Sequence, residues 1–210
     1  MASLLYKDWS IIKKTKALYF ALLYFLFILP SFQNTDFYGK TFSANFFFIF
    51  VIYLPFSYLT AYDYKYNSNT FIPAFPVTKK DIVAGRYVFV GLTFAACLIL
   101  LSAARIVVLA INGQELNIMN GIDYGQTGIL ISIFSLYFGI VLPLYYKFGY
   151  QKLRWLLMVA AIISGAASSA LSEIGPDLNK PLFMFFAAII GAVIYYFSFT
   201  ISFNIFENGN

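Results

Sequence analysis

Apolar residues along this chain gather into six long runs, over residues 17–32, 42–61, 87–111, 127–146, 153–171 and 181–203, with short polar stretches between them. A helix needs roughly 20 residues to cross a bilayer core of about 30 Å. The pattern therefore predicts six membrane-spanning helices. The first run ends Phe27-Ile28-Leu29-Pro30-Ser31-Phe32 and lacks a small-residue cleavage site, so it reads as a retained helix.

Two stretches outside the runs carry structure of their own. In residues 1–16, Leu5, Trp9 and Ile12 recur at helical spacing, with Lys7 and Lys14 elsewhere around the wheel. This predicts an amphipathic helix in the headgroup layer, either a lipid anchor or a dock for a cytoplasmic partner. Residues 62–86 form the longest stretch outside the runs. Asn67 to Asn69 offer a helix start and Pro73 and Pro76 limit its length, so a short helical turn fits Thr70 to Ala74. Phe71, Ile72 and Phe75 need a protein or membrane surface. Thr78 and Asp81 have capping-box spacing and start a helix that leads into the third run. The segment reads as an interfacial loop, or as a docking element whose movement pulls on spans two and three.

Composition agrees with this picture. The 210 residues are 61% hydrophobic and only 11% charged, with a mean hydropathy of +0.77. A soluble domain is about a quarter charged, so a soluble fold, a disordered tail and a nucleic-acid module are excluded. Lys7, Lys13, Lys14 and Lys16 precede the first run. Lys65, Lys79, Lys80 and Arg86 lie between the second and third, and Lys147, Lys152 and Arg154 between the fourth and fifth. The opposite loops hold only Lys40 and Lys180 as basic residues, with the acidic Asp36, Glu115, Asp123, Glu173 and Asp177. The positive-inside rule then puts both termini in the cytoplasm. The net charge of +5 suits anionic lipid and calls for no nucleic acid. Abundant Phe, Tyr, Ile, Asn and Lys have AT-rich codons and fit a low-GC bacterium, whose plasma membrane is then the expected location. There is no histidine, and the single cysteine, Cys97, lies in an apolar run and reads as an inert buried thiol. Histidine-based catalysis and an internal disulfide are thereby excluded.

The stretch Pro76-Val77-Thr78-Lys79-Lys80-Asp81-Ile82-Val83-Ala84-Gly85-Arg86-Tyr87 resembles a segment of small ABC-2-type permeases, the membrane subunits of bacterial ABC exporters. Phe75 stands where Leu is usual and Lys79 where Arg is common. Asp63 matches an acidic residue often found after the second span, and Leu4-Leu5-Tyr6-Lys7-Asp8-Trp9 fits the usual opening. Similar subunits export amphipathic peptides such as phenol-soluble modulins, or confer peptide-antibiotic resistance. The resemblance implies a single six-helix domain over residues 1–210, with residues 62–86 as a cytoplasmic coupling loop. It implies two copies of a separate ATPase that carry the ATP and Mg, with no cofactor on this chain. It also implies a second permease chain, identical or related. Docking would fall on Asp63, Lys65, Asn69, Thr70, Phe71, Ile72, Phe75, Pro76, Lys79 and Lys80, with packing from the apolar members and steering from the lysines.

Other features refine the reading. Gly39-Lys40-Thr41 mimics the end of a phosphate-binding loop, but Asn34 occupies its required first glycine and no strand precedes it. The spans hold no mid-depth carboxylate, which argues against an ion-coupled carrier. Arg105 near the outer end of span three either snorkels or pairs with Glu115, Asp123 or Glu173. Ala161, Gly165 and Ser169, four apart, allow close helix approach within the chain or at a dimer seam. Pro55 and Pro143 predict kinks. The expected activity is export of amphipathic peptide by a non-enzymatic permease. An ATP-independent immunity or holin-like protein and an integral membrane enzyme are the alternatives, and Ser164, Ser168 and Ser169 lack a base for the latter.

Overall fold

The computed structural model describes residues 2–14, 37–66, 78–111, 124–173 and 181–208, and these are all-helical apart from Tyr66 and Thr78 at the edges of helices. Five helices follow one another: α1 (Ala2–Lys14), α2 (Phe37–Lys65), α3 (Lys79–Ile111), α4 (Tyr124–Glu173) and α5 (Pro181–Asn208). Three stretches among them are long and apolar enough to cross a membrane, namely Lys79–Ala103, Tyr124–Leu153 and Pro181–Asn208. The predicted first span, 17–32, and the predicted short coupling helix at Thr70 to Ala74 lie outside the described residues.

Ring contacts set the helix directions. Phe56 on α2 meets Phe138 on α4 with centroids 5.7 Å apart, and further along Tyr64 meets Tyr150 at 5.9 Å. These two helices run the same way. So does α5: its start lies against α4's start, where Phe183 crowds Gly128, and near its end Phe206 meets Tyr146 at 5.4 Å. A β-carbon on Gly128 would stand 2.7 Å from the Phe183 ring, so the glycine is what lets α4 and α5 approach closely here. Helix α3 runs oppositely. Its Lys79 ammonium donates to the Glu207 carbonyl, Tyr87 packs on Tyr195, and Phe94 stacks on Phe134 at 3.9 Å. Lys65, Lys79, Gly149 and Asn208 therefore share one end of the bundle, called here the loop end.

Between spans four and five the charged stretch at Lys147 to Lys152 suggested a connecting loop. The break is instead concentrated at Gly149, which has φ 71° and ψ 173° while helix continues on both sides. Only glycine adopts that backbone readily. Helices α2 and α4 continue through Pro55 and Pro143. Gly149 is the one non-helical residue inside a described helix.

Helix α5 is inside-out relative to a soluble helix. It turns Ala187, Gly191, Ser198 and Ser202 inward and leaves Leu182, Phe185, Ile189, Ile190, Val193 and Ile201 exposed. Such a face would be untenable in water and is suited to lipid. Small inward residues let helices meet by close packing, which dominates where lipid removes the hydrophobic drive. The core itself is aliphatic and aromatic, built on Ile52, Phe56, Leu59, Val83, Val90, Leu130, Phe138 and Leu142.

Helix α1 packs on α2 and α3 through Ile12, which is 1% exposed. Sequence spacing grouped Trp9 with Ile12, but Trp9 is 54% exposed and Tyr6 75%. The residue that shares Ile12's buried face is Asp8, one turn earlier.

Candidate functional site

Loop-end contacts converge on Arg86. Helix α3 starts at a capping box: the Asp81 amide donates to Thr78 Oγ at 3.1 Å, and the Thr78 hydroxyl donates to Asp81 Oδ2 at 2.7 Å. The return contact thus falls on the hydroxyl rather than on the Thr78 amide. Two turns into the helix, Arg86 is directed into the bundle. Its Nη2 donates to Asp63 Oδ2 on the last turn of α2. Its Nη1 lies 3.6 Å from Asp8 Oδ2 on α1. The Lys7 ammonium closes the ring, 3.4 Å from Asp63 Oδ1 and 3.6 Å from Asp8 Oδ1. Asp63 is 2% exposed, and Asp8 and Arg86 are also buried.

Two cations and two carboxylates make the cluster neutral, as burial in low dielectric demands. It is not fully satisfied. Among the described residues, Asp8 Oδ1 and Arg86 Nη1 make no hydrogen bond. Burial pushes the Asp8 carboxyl above its ordinary value of 3.8, against the pull of Arg86 and Lys7 and with a further push from Asp63. Asp63 and Arg86 carry the hydrogen-bonded core of the cluster, and the α1 side is attached more loosely.

Beside it, a cavity of about 130 Å³ opens at the loop end, between the last turns of α2 and α5 and the kink of α4. Tyr64, Tyr145, Tyr146, Tyr150 and Phe206 wall it, and Gly149 stands at its edge. A second polar contact ties α3 to α5. The Tyr87 hydroxyl lies 2.6 Å from Ser198 Oγ and 2.7 Å from Ser202 Oγ, and the Tyr195 hydroxyl donates to the Tyr87 carbonyl at 2.8 Å.

The predicted docking residues separate. Asp63 faces inward to Arg86, so its carboxylate does not lie at the surface. Lys65, Lys79 and Lys80 are exposed at the loop end, and the Lys65 ammonium sits 5.6 Å over the Tyr66 ring. Asn69, Thr70, Phe71, Ile72, Phe75 and Pro76 lie outside the described residues. Arg105 belongs to α3, and Ala161, Gly165 and Ser169 to the second arm of α4, with side chains outside the described set. Cys97 is buried and free. No group of metal-ligating side chains occurs among the described residues. Sequence reasoning missed the roles of Lys7, Asp8 and Arg86 as one cluster. The available signal was an acid one turn before a buried Ile in an otherwise basic helix.

Long apolar helices with lipid-suited outer faces and polar ties between them define a multi-pass α-helical membrane protein. The chain belongs to the ABC-2 family of transporter proteins, whose family model matches residues 3–207. No curated protein and no solved structure matches it. Permeases of this family generally work with an ABC ATPase.

Proposed function

We propose that this chain is the permease subunit of a bacterial ABC exporter that moves amphipathic peptides. A separate ATPase, with its ATP and Mg, supplies the energy by docking on residues 62–86. The observation that carries the reading is the family match over nearly the whole chain, joined to a geometry in which both arms of that loop meet at one end of the bundle. The loop end is the cytoplasmic end in this reading, since Lys65, Lys79, Lys80, Lys147 and Lys152 belong to it.

Six spans belong to this reading, and the helix directions are compatible with that number. Lys14 belongs to the helix that packs at the loop end, whereas Phe37 begins a 29-residue helix that finishes there. The intervening residues include the apolar run 17–32 and would cross between the two ends. Two permease chains pair, with Ala161, Gly165 and Ser169 as a candidate seam, and two ATPase copies dock below them. Arg105 belongs to the external end. Phe71, Ile72 and Phe75 supply docking packing and Lys65, Lys79 and Lys80 the steering. Peptide cargo suits a protein whose exposed faces are apolar and whose described buried charges are already paired with each other.

The test is co-expression with candidate ABC ATPase subunits from the same organism. The expected result is stable co-purification and cargo-stimulated ATP hydrolysis that Phe71→Asp and Phe75→Asp abolish. Full assembly and full stimulation in both variants would overturn the docking assignment. Cargo movement by the purified chain alone would instead favour the ATP-independent alternative.

A further inference from the structure

We propose that α1 is a releasable strap across the two arms of the loop between α2 and α3. The cluster divides at the α1 seam into two halves that are each neutral: Lys7 with Asp8 on α1, and Asp63 with Arg86 on the bundle. Breaking a buried ion pair is ordinarily costly because it strands a charge. Detaching α1 strands none. The bundle half keeps its own hydrogen-bonded pair, since Arg86 Nη2 already donates to Asp63.

The seam is also where bonding is incomplete. The ion pairs across it are Arg86–Asp8 at 3.6 Å and Lys7–Asp63 at 3.4 Å, and of these only the second reaches hydrogen-bond distance. The two buried polar atoms without a hydrogen bond among the described residues, Asp8 Oδ1 and Arg86 Nη1, belong to residues on opposite sides of it. Among the described side chains of α1, Ile12 enters the core and Ile11 packs against it. The opposite face carries Tyr6, Trp9 and Lys13, all exposed and of the types that settle in a headgroup layer. Released, α1 has the lipid surface to go to. Docked, it touches residue 63 at the end of one loop arm and residue 86 on the other, and so limits their independent movement.

The inference rests on the proposed function only in calling this loop the docking loop, and its test uses the permease without ATPase. Cys97→Ala removes the single cysteine, and Ile12→Cys then places a reporter in the seam. The full chain in lipid nanodiscs is labelled with a membrane-impermeant maleimide, and amide exchange is followed by mass spectrometry. Asp8→Lys makes the α1 half doubly positive against Arg86, whereas Asp8→Asn is nearly isosteric and uncharged. The strap predicts that Asp8→Lys speeds labelling at residue 12, and exchange in 60–66 and 78–86, by about ten-fold or more while exchange in 129–142 stays unchanged. Asp8→Asn should leave the reporter protected. Unchanged labelling in Asp8→Lys would overturn the strap, as would release of α1 with unaltered loop arms. Faster exchange throughout the bundle would also overturn it, by making α1 an integral part of the core. The fluorescence of Trp9 in a Trp155→Phe chain repeats the reading without a core substitution: a shift in Asp8→Lys supports release, and no shift opposes it. Failure here leaves docking untouched, and failure of the Phe71→Asp test leaves the strap untouched.

Discussion

Arg86 is the residue on which the loop end depends. Its truncation leaves Asp63 and Asp8 facing each other in the interior with Lys7, about a third exposed, as their remaining cation. Removing one partner of a buried charge cluster costs about 3–5 kcal/mol. Arg86→Ala should therefore lower the thermal unfolding midpoint of the detergent-solubilised chain by far more than Lys80→Ala, an exposed change. Arg86→Lys should fall between them, because an ammonium cannot reproduce the guanidinium's separate contacts to two carboxylates. Asp8 behaves differently. Its carboxyl is raised in the folded chain, so its contribution is full below 3.8 and is lost as pH rises through the raised value. The groups facing it are Arg86, Lys7 and Asp63. Attachment of α1 should weaken with rising pH across that window, and Asp8→Asn should remove this dependence. Unfolding midpoints measured against pH for the two chains check it.

Helix pairing rests on a few close contacts, and each is testable alone. Gly128→Val would push two methyl groups into the Phe183 ring, with the Met184 backbone already 3.3 Å from the position of a β-carbon. Overpacking of this kind costs about 1–3 kcal/mol. The variant should show faster amide exchange at the starts of α4 and α5 and little change at the loop end. Tyr87→Phe removes the hydroxyl shared by Ser198 and Ser202. The serines can turn back to carbonyls of their own helix, so the expected loss is about 1 kcal/mol, in line with hydrogen bonds between membrane helices. Double-mutant cycles with Ser198→Ala measure it. Local sequence carried part of this scale well. The Thr78–Asp81 start of α3 depends on residues three apart and was legible. The kink at Gly149 was not: a charged stretch with a glycine marks a boundary but does not say that a single residue breaks the helix.

Across the molecule, three helices run one way and α3 the other, and both termini of the described structure belong to the loop end. In the proposed reading, that arrangement lets the loop between α2 and α3 act on two helices at once. Helix α3 is in turn tied to α5 through Tyr87, and α5 to α4 through Gly128. Movement at the loop should thus reach every described span. With the ATPase present, Tyr87→Phe should reduce the stimulation of ATP hydrolysis by cargo without reducing assembly, read as a cargo-stimulated rate against co-purified ATPase.

Long apolar runs, few charges and basic residues on alternate loops were enough to specify a helical membrane protein and the family that Pro76 to Tyr87 resembles. Those properties depend on composition and on neighbours in the chain, and need no knowledge of which helix meets which. The buried charge cluster could not be read that way. Lys7, Asp8, Asp63 and Arg86 are up to 79 positions apart in the numbering, and each taken singly looks like an ordinary interfacial charge. Only helix directions and packing bring the four together and bury Asp8, Asp63 and Arg86. Burial then turns surface residues into a neutral, incompletely bonded joint, because the strength of a charge interaction is set by its surroundings rather than by residue type.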